Sequence, residues 1–185
     1  LKIKADLYYS QTVISPGLIS ALLHWLGKKN IVHLRGVDLN KGFGFSRKPI
    51  TNFVLKHNDL IFVLSKAHQE MLKKRGFESY YITNGVDITF NFTKEQCRRE
   101  LNLGDGKHIV YVGRLDKTKG VIYAVKAVER LDVTLHIIGE ESGGRYGATA
   151  EIREYITNHN MKNVIFHSVL ERPSTFSYIK AADIF

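Results

Sequence analysis

The sequence predicts an α/β protein built from two consecutive arrays of parallel strands and helices. Three observations carry this. Short apolar runs at 31–34, 60–64, 108–112, 133–138 and 164–167 have the length and continuity of buried strands. Segments with helical spacing separate them, as a parallel sheet covered on both faces requires. Between the two groups lies a junction at 84–93, where Asn84-Gly85-Val86-Asp87 is followed by the capping box Thr93-Lys94-Glu95-Gln96. After it the pattern restarts, so the expected division is 1–92 and 93–185.

In the first array, residues 3–9 alternate loosely and read as a strand. Ser15-Pro16 then opens a helix, with Ser15 as cap and proline in the first turn. Leu18, Ile19, Leu22, Leu23 and Leu26 form its apolar stripe, so it is expected in the core, and Gly27 stands where a C-cap glycine belongs. The strand at 31–34 runs into Arg35-Gly36-Val37-Asp38. A glycine-rich basic loop spans 39–49. It contains Gly-x-Gly, but Arg47 stands where a dinucleotide fingerprint needs its third glycine, so that fingerprint is rejected. Phe43 and Phe45 among cations fit a substrate loop, base stacking or plain surface. A helix follows at 50–56, then a strand at 60–64. Ser65 caps a helix that runs to Gly76, and a short strand is expected at 79–83.

In the second array, the capping box starts a helix that ends near Leu101. The strand at 108–112 leads into Gly113 and a loop carrying Arg114, Lys117 and Lys119. A helix then opens near Gly120, with Val121, Ala124, Val125, Val128 and Leu131 on one apolar face. Strand, glycine, cations and helix start together make an anion site. An ordinary connection with solvated cations has the same pattern. The strand at 133–138 ends at Gly139. A loop at 140–148, a helix with Ile152, Tyr155 and Ile156 on one face, the strand at 164–167 and a helix around 175–181 complete the array. Residues 182–185 read as the start of another strand. The chain begins at Leu1, and both ends look cut.

Composition narrows the function class. Among 185 residues, Cys97 is the one cysteine, so no internal disulfide forms, which fits a reducing compartment. No signal-peptide pattern and no membrane-length apolar run is visible. The net charge is +9, and it is uneven: residues 1–92 hold 13 Lys/Arg against 6 Asp/Glu, while residues 93–185 hold 14 against 12. The first half is therefore the candidate face for an anionic surface or substrate, unless its cations serve only solubility. Asp-x-Asp, His-Glu-x-x-His, Walker and Gly-x-Ser-x-Gly patterns are missing, so no metal site or serine nucleophile is expected. The eight histidines are dispersed and read as structural. Ligands of open parallel sheets sit beyond the carboxyl ends of the strands. Arg35, Asp38, Ser65, Asn84, Arg114, Lys119 and Gly139 all follow predicted strands, which places them on those edges. Two such sheets facing each other would form a substrate cleft.

The order of these motifs resembles glycosyltransferase family 4 (group 1 glycosyl transferases), retaining enzymes of GT-B fold that use nucleotide-sugar donors. The segment 59–65 looks like the family's strand-then-serine stretch. Asn84-Gly85-Val86-Asp87, with Phe90 or Phe92 after it, looks like its interdomain junction. Residues 97–103 are similar to its Arg-containing helix. Val112-Gly113-Arg114-Leu115 with Lys119-Gly120 looks like its diphosphate motif, and 137–139, 164–167 and 182–185 fall in family order.

The resemblance implies two Rossmann-like domains, both incomplete, with the acceptor side in 1–92 and the donor side in 93–185. Arg114 and Lys119 would be catalytic, stabilising charge on the leaving nucleoside diphosphate. Gly113, Gly139, Glu140 and His167 would line the donor, with Glu140 on the 140–145 loop. Arg35, Gly36, Asp38, Ser65 and Asn84 would lie on the acceptor side. Arg35 stands where the family often has a histidine, and Ser168 where it often has a glycine. The implied partners are a nucleotide-sugar and a phosphorylated, lipid-linked or saccharide acceptor. The implied place is the cytoplasm, with peripheral contact to an anionic membrane at its inner face, and no cofactor or metal. The family's paired-glutamate motif would lie beyond Phe185, so the chain as it stands is expected to bind donor poorly and catalyse little. The alternatives are a non-catalytic nucleotide-binding or interaction protein derived from such a transferase, and a basic nucleic-acid-binding module, for which no recognised motif is present and no nucleic-acid partner is expected.

Overall fold

The computed structural model describes residues 5–36, 38–39, 47–86, 89–141 and 144–185, without the side chain of Arg145. Two compact units emerge, 1–86 and 87–185. Each holds an all-parallel sheet. The first has strand order β1-β2-β3-β4 and the second β5-β6-β7. The glycine-rich loop at 40–46, with Phe43 and Phe45, lies outside the described residues, as do Val37 and Asp87.

Unit 1 starts with β1 (Tyr8–Gln11), later than the strand expected at 3–9. A π-type turn, Val13–Gly17, follows and leads into α1 (Leu18–Trp25). The predicted cap fails here. Ser15 adopts φ 64° inside the turn, and α1 starts from Gly17 with no side-chain cap. The reason is spatial: a Cβ at Gly17 would sit 2.4 Å from the Thr12 carbonyl oxygen, so only glycine lets the chain fold back there. Of the expected core stripe of α1, Leu23 alone is buried. The face it buries holds Ser20, Ala21 and Leu23, while Leu18, Ile19, Leu22, Trp25 and Leu26 are exposed. Long-range polar bonds select this face. The Ser20 hydroxyl donates to Asn58 Oδ1 at 2.8 Å, and Asn30 Nδ2 donates to the Ser20 carbonyl.

The strand β2 (Asn30–Leu34) is buried at every position, and β3 (Leu60–Val63) pairs with it in parallel. Asn30 joins them at their start. Its Oδ1 accepts from the Asp59 amide at 2.9 Å, and its own amide donates to Asp59 Oδ2 at 2.8 Å. The strand β4 (Tyr80–Tyr81) is two residues long, shorter than the stretch predicted at 79–83. The helices α2 (Lys48–Lys56) and α3 (Lys66–Lys73) follow β2 and β3. As expected, Ser65 caps α3 by accepting from the His68 amide. Val32, Leu34, Leu39, Val54, Val63 and Leu72 make the core.

Asn30 is fully buried and serves three elements at once. Asn30→Ala is expected to cost about 2 kcal/mol, because the Asp59 amide and the Ser20 carbonyl lose buried partners. Trp25, the only tryptophan, reports unit 1 in a denaturant melt that checks this.

Unit 2 starts with α4 (Lys94–Glu100), where Thr93 and Gln96 make the predicted capping box. The strands β5 (Lys107–Val112), β6 (Val133–Ile138) and β7 (Val164–His167) alternate with α5 (Val121–Val128), α6 (Thr149–Asn158) and α7 (Arg172–Ala181). Beyond β5, Ile184 forms a parallel bridge with Ile109, as the strand reading of 182–185 expects. Leu131 departs from the expected helix face: it lies past α5 and is exposed.

The two faces of this sheet differ. Leu135 and Ile137 point into the apolar core with Val121, Val125 and Val128 of α5 and Ile152 of α6. The opposite face carries His108, His136 and His167, with Tyr178 of α7 against the last two rings. Asp183 ties this side together. It accepts from Lys94 and Arg98 of α4 and from the His108 amide, each at 2.8 Å. The Lys94 ammonium first, then that amide, hold its carboxyl well below the usual carboxylate range.

Candidate functional site

The carboxyl end of the unit 2 sheet is built by two crossing loops. Past β5, the Gly113 amide continues the ladder onto the Ile138 carbonyl at 3.0 Å, and the Leu115 amide reaches the Glu140 carbonyl at 3.0 Å. The segments 113–116 and 138–141 are thus zipped side by side. Contact is so close that a Cβ on Gly139 would lie 2.0 Å from the Gly113 carbonyl oxygen. Glycine is required at 139 for this approach.

Leu115, 1% exposed, anchors the loop in the apolar core, and its carbonyl accepts from the Ala148 amide at 3.0 Å. On its flank, the Tyr111 hydroxyl donates to the Arg114 carbonyl at 3.1 Å. With Leu115 pulled in, Arg114 is thrown outward, and its side chain is 67% exposed.

Asp116 is the buried counterpart, with its side chain 6% exposed. Its Oδ1 accepts from the Thr118 amide at 3.0 Å and from the Thr118 hydroxyl, and its Oδ2 meets Arg114 Nη2 at 3.0 Å. The Thr118 hydroxyl is the main reason its carboxyl sits below the usual range, with Arg114 adding to it. Asp116 caps a 3-10 turn, Lys117–Lys119, and its carbonyl accepts from the Lys119 amide at 3.0 Å. Gly120 then takes φ 68°, a left-handed conformation suited to glycine, and α5 begins at Val121. Lys117 and Lys119 therefore ride on a 3-10 turn just ahead of the helix, which opens next to Gly120 as expected.

The other predicted donor residues fall as follows. Glu140 is exposed, and its carbonyl belongs to the zipped loops. His167 ends β7 level with Ile138, which itself is level with Val112, so it stands at the same sheet edge. Its ring faces inward: Nε2 lies 3.0 Å from His136 Nδ1, and Nδ1 lies 3.5 Å from the Tyr178 hydroxyl. Both ring nitrogens are engaged inside the unit.

In unit 1, three of the five predicted residues converge. Arg35 Nη1 donates to Asn84 Oδ1 at 3.1 Å, and Nη2 donates to Gln11 Oε1 at 2.7 Å, so the guanidinium spans the ends of the sheet. Asp38 accepts from the Arg35 amide at 2.8 Å and from the Val13 amide at 3.2 Å. Gly36 lies against His68, whose buried Nδ1 has no partner among the described residues. Ser65 is occupied as the α3 cap. Arg35 thus works first as a staple between strand ends, through two of the five donors of its guanidinium.

Asp116, Thr118 and Tyr111 escaped the sequence reading. Asp116-x-Thr118 is the spacing of a side chain that caps a turn two residues on, so that signal was present. The histidine cluster gave no such signal, since it depends on the register of three strands.

Comparisons with known proteins give the family and the fold. Residues 93–185, half of the chain, match the family described as glycosyl transferases group 1. A curated relative, the putative teichuronic acid biosynthesis glycosyltransferase TuaC of Bacillus subtilis (strain 168), is 30% identical over 109 residues, covering 55% of this chain and 28% of the relative. The fold of sucrose-phosphate synthase from Thermosynechococcus elongatus superposes with a TM-score of 0.82 at 20% identity, over 98% of this chain and 50% of that one. HepE from Anabaena in complex with UDP-glucose gives a TM-score of 0.76 at 20% identity, over 97% of this chain and 52% of that one. UDP-GlcNAc 2-epimerase from Methanocaldococcus jannaschii shares the fold at a TM-score of 0.54 and 14% identity, covering 97% of this chain and 55% of that one. The chain spans about half the length of these solved structures. It belongs to the group 1 glycosyl transferases.

Proposed function

We propose that this chain serves a transferase that moves a sugar from a nucleotide-sugar to an acceptor with retained configuration, and that unit 2 holds the donor. One observation carries the reading. The zipped loops at the end of the unit 2 sheet project Arg114 into solvent from a buried, tightly held backbone, with Lys119 on the next turn. Fixed cations aimed at a phosphate stabilise the charge that develops as the nucleoside diphosphate departs. They can supply this charge without a divalent ion. Family membership supports the reading, as do the UDP and UDP-glucose complexes of HepE.

Unit 1 would face the acceptor. Its basic excess, with Arg35 at the end of the sheet, fits a phosphorylated or lipid-linked acceptor, or one held at an anionic membrane surface on the cytoplasmic side. No described helix is long and apolar enough to cross a membrane.

Calorimetric titration of the chain with UDP, GDP and ADP tests the donor reading. Saturable binding of one of them, weakening as salt rises, is the expected result. Absence of binding by all three would overturn it.

A further inference from the structure

We propose that Asp116 is a positioning residue for the donor site, one buried carboxylate that sets the places of both cations. This rests on the donor reading above. The two oxygens divide the work. Oδ1 holds the Thr118 amide and hydroxyl, which shapes the 3-10 turn carrying Lys119. Oδ2 holds Arg114 Nη2 at 3.0 Å. The Asp116 backbone adds to this, since its carbonyl takes the Lys119 amide and it bridges Gly147.

The arrangement suits a polyanionic ligand. An exposed arginine free in solvent samples many rotamers, and binding must arrest them. Here the guanidinium is held at one edge by a carboxylate that is itself fixed by the Thr118 amide and hydroxyl. Among the described residues Nη2 is engaged on Asp116, one bond of a guanidinium that has five donors in a planar fork for phosphate oxygens. Preorganisation of this kind raises affinity by lowering the ordering cost. Asp116 also brings a negative charge, which opposes an anion. Its position behind the guanidinium and turned into the fold, where it is 6% exposed, makes positioning the larger effect.

Asp116→Asn separates the two roles. Asparagine caps turns as well as aspartate does, so the Thr118 bonds and the fold survive. Only the charged grip on Arg114 is lost. In nitrogen-detected NMR of the nucleotide-free chain, Arg114 is expected to show slowed rotation of its Nη groups, as a guanidinium held on Asp116 must; a fall in nucleotide affinity at unchanged melting temperature is the readout that a purely structural role would not give. The NMR signature is expected to vanish in Asp116→Asn while the melting temperature holds. Affinity for the nucleoside diphosphate bound by the wild-type chain is expected to fall three- to tenfold. Asp116→Ala, which loses the turn as well, is expected to fall further. Wild-type or tighter binding by Asp116→Asn, or an unchanged Arg114 signature, overturns the assignment while leaving the donor reading intact. Failure of the wild-type chain to bind UDP, GDP or ADP overturns both.

Discussion

In a full-length transferase that contains this chain, Arg114→Ala and Lys119→Ala are each expected to lower kcat for sugar transfer by about 10²–10³, the typical effect of removing one preorganised donor to a developing negative charge. As the bond between the sugar and the diphosphate breaks, charge accumulates on the departing phosphate oxygens. A cation fixed beside them strengthens its interaction in that step. The loss should therefore appear mainly in kcat, with a smaller change in KM. Stability should barely move, because Arg114 is exposed and its pair with Asp116 lies at the surface on the arginine side.

The two variants are not equivalent. Removing Arg114 leaves the Asp116 carboxylate without its counter-charge, close to where the diphosphate would lie. Arg114→Ala should be the more damaging, and adding Asp116→Asn to it should recover part of the loss. Asp116→Asn thus harms the intact site and helps the damaged one. Steady-state kinetics on the four proteins measure this reversal. A kcat within threefold of wild type for both single variants would remove these cations from the chemistry.

The fold was legible where one residue's surroundings are set by its sequence neighbours. The strands β2, β3, β5 and β6 follow apolar runs, and Thr93 with Gln96 carries a local capping signal. Legibility ended where distant partners decide. The leucine stripe of α1 has helical spacing, yet Asn30 and Asn58 bond Ser20 and turn that stripe outward. Ser15 has the composition of a cap, but the turn over β1 needs it at φ 64°.

In the candidate site, Arg114, Lys119, Gly113 and Gly139 were readable as a strand, a glycine and cations in order. The job of Asp116 was not, since its carboxylate must be seen buried before it can be assigned to Arg114. His167 ends a strand that was readable as an apolar run, but its ring belongs to a row of residues 28 and 31 positions apart in sequence.

That row leads to the second large expected effect: unit 2 should lose on the order of 3 kcal/mol of stability between pH 6.5 and pH 4, from His136 alone. The Gly104 carbonyl can only accept, so the His108 proton facing it at 3.1 Å sits on Nε2. His108 Nδ1 then accepts from His136 Nε2–H at 3.1 Å. By the same logic, His136 Nδ1 accepts from His167 Nε2–H at 3.0 Å, and His167 Nδ1 is left to accept from the Tyr178 hydroxyl. In this row each ring donates through Nε2 and accepts at Nδ1. A proton added to His136 would reverse its bond to His167, forcing that ring into its other tautomer, and would place a charge in a site that is 2% exposed.

Burial, then His167 and His108, push the His136 pKa down to about 4, and burial lowers that of His167 as well. The unfolded chain takes up these protons near pH 6.5, so between pH 6.5 and 4 it binds more protons than the folded one. Stability is complete above pH 6.5 and falls as acid is added. The depressed carboxyls of Asp116 and Asp183 act in a lower window, below about pH 4, where unfolded aspartates protonate.

His33 of unit 1 is also lowered, chiefly by burial, so the readout must be local. Amide exchange in β5, β6 and β7 across pH 7.5 to 4.5 supplies it, compared between wild type and His136→Gln. Glutamine can donate to His108 and accept from His167 without titrating. The variant should lose about one proton's worth of the pH slope, and equal slopes in the two proteins would mean that His136 is not held neutral by its neighbours.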